Sequence, residues 1–369
     1  MLVKMKDICT KVGSGATPKG GNNAYIKTGI SLIRSQNIHD FYFSHDGLAH
    51  INDEQAAKLN GVRLEEDDVL LNITGDSVAR ACKVDNSVLP ARVNQHVCIV
   101  RGDKRKVLSS YVLYYLQMKK PELLMMASSG ATRNALTKGM IEELELDLPS
   151  LQEQKKIVSL LDDIQCKILN NNRINRNLSE QCDAIYRDQF ITKSDSSWTM
   201  GYLSDLITVK YGKDHKKLED GNIPCYGSGG VMRYVERPIY DHESVLIPRK
   251  GTLNNVMYVN VPFWSVDTMF YTVMKISNVA KFVYHYVKGK DLASMNAGSA
   301  VPSMTVDILN AMELQIPSST ALAEFETIVQ PLYKAMKDSE IENKKLAELR
   351  DTLLPKLMSG ELDVSDLDI

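Results

Sequence analysis

Short polar strings stand at the ends of apolar runs throughout the chain. In its first part they are Arg34-Ser35-Gln36-Asn37, Thr74-Gly75-Asp76, Asn94-Gln95-His96 and Thr132-Arg133-Asn134. A second set follows after residue 200: Tyr226-Gly227-Ser228, Arg249-Lys250-Gly251-Thr252 with Asn254-Asn255, and residues 299–303. Asn and Gln carboxamides can pair bidentately with adenine and an Arg guanidinium with guanine, so these are residue types that read base edges. The candidates are Arg34, Gln36, Asn37, Thr74, Asn94, Gln95, His96, Arg133 and Asn134, then Tyr226, Ser228, Arg249, Lys250, Asn254 and Asn255. Turn formation accounts for many of the same Asn and Gly residues, and that reading stays open beside the first.

Other chemistry finds little support. The chain has no GxxxxGK[ST] phosphate loop, no HExxH pair and no GxSxG elbow. His39, His45, His50 and His96 are not at metal-ligand spacing, so no metal is expected. None of the six cysteines forms a CxxC pair, and reduced cytoplasmic thiols are expected. Cys166 and Cys182 fall on helical patterns as small buried apolar side chains. An Asn-Pro-Pro-aromatic tetrapeptide of the amino-methyltransferase kind is also absent. No apolar run is long enough for a membrane span, and no signal peptide is visible. A binding subunit is favoured over an enzyme.

The 369 residues must supply elements that position these strings, and an internal duplication organises them. Residues 139–150 and 307–318 align at an offset of 168, apolar positions, proline and serine included. Upstream the offset drifts: Val69-Leu70-Leu71 resembles Val245-Leu246-Ile247, and Asp7-Ile8 resembles Asp205-Leu206. Insertions and deletions, mostly lengthening the first copy, explain the drift. Runs at 31–34, 68–73, 96–100, 244–247 and 269–273 read as strands, and 110–119 and 280–288 as aromatic-rich helices.

Downstream of Pro149 and Pro317 the spacing turns helical. Ile157, Leu161, Ile164, Ile168, Asn171, Asn175, Leu178, Cys182 and Ile185 recur at alternating steps of four and three. Phe325, Val329, Leu332, Met336, Ser339, Asn343, Leu346, Arg350 and Leu353 repeat them 168 residues on. Such spacing is a coiled-coil seam, and seam asparagines fix its register. Equal length, constant offset and matched polar interruptions favour antiparallel pairing of the two helices about a pseudo-two-fold axis. Packing of each helix on its own globular part is the alternative. Pro331 is expected to kink or restart the second helix, and Pro355 to end or bend it near Leu354.

The expected fold is thus α+β: two globular α/β parts, 1–148 and 193–316, joined by helices within 149–192 and 317–369. The net charge is −2. Its acid excess sits in 317–369, where 6 Lys and Arg meet 11 Asp and Glu. The globular parts are near neutral, so any polyanion footprint is local.

The chain resembles the specificity subunit of type I restriction-modification enzymes. The resemblance rests on Val12-Gly13-Ser14-Gly15-Ala16-Thr17-Pro18, residues 33–38, 69–76 and 94–96, Leu148-Pro149-Ser150-Leu151-Gln152-Glu153-Gln154, and residues 353–362. It covers essentially the whole chain. Two departures stand out: the second helix starts Ser319-Thr320-Ala321-Leu322 without the Glu-Gln of the first, and Val266-Asp267-Thr268 replaces the Asn94-Gln95-His96 string. The resemblance implies a cytoplasmic, non-catalytic subunit with no cofactor of its own. Each globular part would be a target-recognition domain reading half of a split double-stranded DNA site. The helices would set the spacing and dock methyltransferase subunits, usually two. Those partners would bring S-adenosylmethionine for adenine methylation, and restriction/translocase subunits would bring ATP and magnesium. A coiled-coil scaffold carrying two non-DNA ligand-binding modules is the alternative.

Overall fold

The computed structural model describes residues 2–128, 135–295 and 303–364. Its described residues form two compact units, one within Met1–Asn171 and Ile341–Ile369, the other within Asn172–Glu340. Each unit therefore takes one globular part and one half of each long helix.

In the first unit, Leu2–Lys4 pairs antiparallel with Glu145–Asp147 and ties the two ends of the globular part together. A four-stranded antiparallel sheet runs in the order Cys9–Ser14, Val97–Gly102, Val69–Asn72, Ala81–Lys83. A three-stranded sheet has Ile30–Ile33 at its centre, antiparallel to Ala49–Ile51 and parallel to Ala91–Val93. Val69–Asn72 is buried at every position, so its unbroken apolar run is that of a strand covered on both faces.

The second unit repeats this topology. Thr199–Tyr202 pairs with Glu313–Ile316. Ile207–Tyr211, Met269–Met274, Ser244–Pro248 and Met257–Val259 form the four-stranded sheet. Asp220–Gly227 lies antiparallel to Gly230–Val235 and parallel to Trp264–Ser265. Small contacts repeat too. The Asp7 carboxylate accepts from Lys4 N at 3.2 Å and that of Asp205 from Tyr202 N at 2.8 Å. Tyr115 donates to Glu145 O at 2.7 Å and Tyr286 to Glu313 O at 2.8 Å.

The central helix, Leu151–Arg187, and the C-terminal helix, Ser319–Met358, start 168 residues apart. The missing Glu-Gln of the second copy does not move its start. In the first, Ser150 and Glu153 form a capping box, Ser150 N donating to Glu153 Oε2 at 2.8 Å and Glu153 N to Ser150 Oγ at 3.3 Å. In the second, Ser318 Oγ caps alone, accepting from Ala321 N at 3.2 Å. Gln154 is fully buried, accepts from Leu108 N and donates to the carbonyls of Lys106 and Pro149. Leu322 stands at its place 168 residues on, also buried, so an apolar plug replaces a polar staple.

The helices pair antiparallel within each unit. In the first, Gln165 accepts from Arg350 at 2.7 Å and Asn171 donates to Asn343 Oδ1 at 2.9 Å. Ile157 and Leu161 share a core with Leu354 and Leu357, beneath Tyr111 and Tyr114 of the helix Ser109–Met118. In the second, Asn175 donates to Met336 O at 3.2 Å, and Tyr186, Phe190, Phe325 and Val329 pack under Phe282 of the helix Ala280–Lys288. Along the seam, Ile157, Leu161, Ile164, Asn171 and Val329 are buried. Ile168, Asn175, Leu178, Ile185, Leu332, Met336, Asn343, Leu346 and Leu353 are half-buried.

The structure corrects an expected restart at Pro331, an expected end near Leu354 and the expected burial of Cys166. The C-terminal helix runs without a break through Pro331 and past Pro355 to Met358, and Ser359 N still donates to Pro355 O at 3.0 Å. A proline removes one donor from the ladder, and burial of Leu354, Leu357 and Met358 in the first unit's core holds the turn. Cys166 is exposed, on the helix face turned from the core, while Cys182 is buried.

Candidate nucleic-acid interface

The candidate residues of the first unit gather at the C-terminal ends of three strands, Ile30–Ile33, Val69–Asn72 and Ala91–Val93. Backbone bonds hold these ends together: Asn94 N donates to Ile33 O and Ile73 N to His96 O, both at 3.0 Å. The Asn72 carboxamide donates to Ser35 O at 2.9 Å. Arg34 then leaves the strand half-buried, donating to Gly47 O at 2.6 Å, its guanidinium 5.2 Å from the Tyr25 ring centroid. Gln36 is exposed and weakly tied to the same carbonyl at 3.3 Å.

Thr74, Gln95 and His96 form one hydrogen-bonded row. Gln95 Nε2 donates to His96 Nε2 at 2.9 Å. The imidazole then carries its proton on Nδ1, which donates to Thr74 Oγ1 at 2.6 Å. Thr17 donates to Gln95 Oε1.

Asn37 and Asn94 do not join this exposed group. Asn37 is fully buried; its amide donates to Ser44 O and Asp46 O and its Oδ1 accepts from Arg34 N. Asn94 is buried and accepts from His96 N at 3.1 Å. Both shape the loops that carry exposed neighbours, the turn chemistry open to Asn from the start. Arg133 and Asn134 lie outside the described residues.

The second unit uses the equivalent strand ends with different side chains. Ser228 follows Asp220–Gly227, and its carbonyl accepts from Asn255 at 2.7 Å. Arg249 and Lys250 follow Ser244–Pro248, and both backbone amides donate to Thr268 O. The Arg249 side chain donates to Asp267 O at 3.2 Å and lies 5.5 Å from the Tyr211 ring centroid. The main-chain bonds from Asn94 N to Ile33 O and from Ile73 N to His96 O thus recur as Val266 N to Tyr226 O and Arg249 N to Thr268 O, with different side chains around them. Asn254 bridges Asp291 and Ala293 N, which makes it an anchor for the 291–294 turn. Tyr226 is turned from this group and lines a separate cavity.

Several residues outside the candidate set also shape this site. Thr17 enters the row through Gln95, and Tyr25 and Tyr211 support the two arginines. Gly15 and Gly212 pass so close to the neighbouring strand that a Cβ would stand 2.1 Å from Val93 O and 2.0 Å from Val266 O, so only glycine fits. After Gly212 come Lys213, Lys216 and Lys217, all exposed, with Lys213 N bonded to Ser265 O at 2.8 Å. Their clustering within five residues was a visible signal, hidden by the neutral average of the segment.

Among the described residues no group of three or more His, Cys, Asp or Glu could hold a metal ion. No described helix is long and apolar enough to cross a membrane. Burial pushes the Cys9, Cys82 and Cys98 thiols up to about 12, which removes them as nucleophiles.

Comparison with known proteins meets this geometry. A family model described as the type I restriction modification DNA specificity domain matches residues 1–180 and 195–351. The specificity subunit of the type I restriction enzyme MjaIX from Methanocaldococcus jannaschii is 23% identical over 409 residues, which span 99% of this chain and 94% of the relative. That of HindI from Haemophilus influenzae is 32% identical over 142 residues, 38% of this chain and 26% of its own. The crystal structure of the type I restriction-modification S subunit from M. genitalium shares the fold, with a TM-score of 0.60 over 97% of this chain and 96% of that one, at 16% identity. The chain belongs to the type I restriction-modification DNA specificity family and is a non-catalytic DNA sequence-specificity subunit.

Proposed function

We propose that the globular parts, 1–148 and 193–316, each read one half of a split double-stranded DNA site. The observation that carries this reading is one set of strand-end loops presented twice with different side chains. Arg34, Gln36, Thr74, Gln95 and His96 occupy it in one unit, and Ser228, Arg249, Lys250 and Asn255 in the other. One scaffold with two chemistries suits two different half-sites. Lys213, Lys216 and Lys217 supply phosphate contacts, which position the protein without reading sequence.

The helical segments, 149–192 and 317–369, act as spacer and as the dock for methyltransferase subunits, two per chain. Exposed Ile174, Ile341 and Leu349 on these helices support docking. S-adenosylmethionine, ATP and magnesium stay with the methyltransferase and restriction/translocase subunits, and the assembly works in the cytoplasm. Near-neutral readers bind weakly alone and tightly in complex, where partners neutralise phosphates.

Methylome sequencing of the host with and without this gene tests the reading. Loss of one split adenine motif on deletion is expected; an unchanged methylome overturns it.

A further inference from the structure

The two units place different side chains at one corresponding point beside the reader loops. Asn94 N donates to Ile33 O in the first unit and Val266 N to Tyr226 O in the second, both at 3.0 Å. In the parallel strand pairs Ile33 stands beside Val93 and Tyr226 beside Ser265. Ile33 therefore corresponds to Tyr226, and Arg34 to Gly227. The Arg34 side chain leaves its strand toward the Tyr25 ring and the Gly47 carbonyl. Gly227 has no side chain to send.

Met232 fills that place. It is the extra residue of a β-bulge, since Val231 pairs with Tyr226 and Arg233 with Cys225. A bulge re-aims a side chain, and this one brings the thioether onto Gly227. A Cβ at that glycine would run into Met232 Sδ and stand 3.1 Å from its Cγ. Met232 is nonetheless 59% exposed. Its surroundings are those of the proposed readers. Ser228 O accepts from Asn255 at 2.7 Å, and a Cβ on Gly251, next to Lys250, would stand 2.6 Å from Ser228 Oγ. Arg233, the next residue along the strand, donates to Leu218 O at 2.8 Å, which ties the strand to the segment carrying Lys213, Lys216 and Lys217. Arg233 also pairs with Asp220 at 2.9 Å. That cation is thereby spent within the unit, and the thioether is the group left on offer.

We propose that Met232 reads thymine, packing its thioether on the 5-methyl group in the major groove, at the position from which Arg34 of the first unit addresses a polar base edge. The inference rests on the reading that the strand-end loops face DNA, and deepens it. The methyl group marks thymine among the bases in that groove, and apolar side chains read it. Methionine suits the contact, being unbranched and polarizable. A thioether has no proton to donate, so the acceptor edge of guanine gains nothing from it. Burial of one methyl group corresponds to about a fourfold change in affinity.

The test uses the assembled methyltransferase complex and DNA carrying its target motif. Each thymine of both half-sites is replaced in turn by deoxyuridine, which removes only the 5-methyl group. At one thymine the replacement is expected to weaken binding by the wild-type complex about fourfold, and to leave binding by the Met232→Ala complex unchanged. Met232→Leu should keep the response, and Met232→Gln, of similar length but polar, should lose it. The proposal is overturned if no thymine responds, if the response is the same in every variant, or if the variants weaken assembly without changing the response. Loss of a split motif on gene deletion with no Met232-dependent thymine sinks this assignment alone. An unchanged methylome sinks the reading beneath it.

Discussion

At the residue scale, the two copies keep an interaction while exchanging its partners. In the first unit Lys83 reaches Asp67 at 3.7 Å and Ser110 Oγ at 3.4 Å. At the equivalent positions of the second, Tyr258 donates to Glu243, and the cation has moved to Lys281. Lys281 is 1% exposed and also meets Glu326 at 2.6 Å, whereas Lys83 is 41% exposed. Removing one partner of a buried ion pair strands the others. Lys281→Met is therefore expected to cost about 3 kcal/mol, and Lys83→Met at most about 1 kcal/mol, both read by urea unfolding. Among the proposed readers, Arg249→Ala should relax one base of one half-site, losing ~1–3 kcal/mol of discrimination. Lys213→Ala should weaken all sequences alike and lower the salt slope by about 1. Binding titrations of the complex against single-base variants at two salt concentrations separate these outcomes.

At the element scale, the helix Ala280–Lys288 is held against the long helices by a polar row inside an aromatic core. His285 Nδ1 lies 2.7 Å from Asp183 Oδ1, and its Nε2 3.0 Å from Tyr333 OH. Tyr186, Tyr284 and Phe325 rings surround it, and Lys288 also binds Asp183. Burial pulls the imidazole down to about 4, against the pull of Asp183. The unfolded chain, with His near 6.5, binds a proton that the folded chain refuses between those values. Stability from this residue is full above pH 6.5 and falls as the pH drops toward 4, by at most ~3 kcal/mol. Asp183, held below the usual carboxylate range by Lys288 and His285 despite burial, stays charged across that window. His285→Gln should flatten the decline between pH 6.5 and 4.5, measured by denaturation midpoints. An equally steep decline in the variant counts against this account.

At the scale of the whole molecule, each compact unit borrows half of each long helix, so neither globular part is a unit by itself. The proposed spacer role follows from helix length. Deleting four residues from each helix, between Asn175 and Asp183 and between Asn343 and Asp351, removes ~6 Å of rise from each. That is roughly two base pairs at ~3.4 Å. The methylated motif is expected to change its gap; retained methylation with an unchanged gap sinks the ruler.

Much of this was legible in one dimension. A 3.5-residue period, short apolar runs and a 168-residue offset named the long helices, the strands and the duplication, because backbone geometry writes such patterns into the order of apolar residues. Residue type also marked which strings could read bases. Folding decided which of them are available: Asn37 and Asn94 look like Gln36 and Gln95 in sequence, yet both are buried, Asn37 donating to loop carbonyls and Asn94 accepting from His96 N. It also decided that two prolines sit inside an unbroken helix, and that the 34–48 loop of the first copy folds back on its own unit through Asp40 and Phe41. Those outcomes depend on contacts between residues far apart in the chain, such as Arg350 with Phe41 or Tyr333 with His285, and no local pattern carries them.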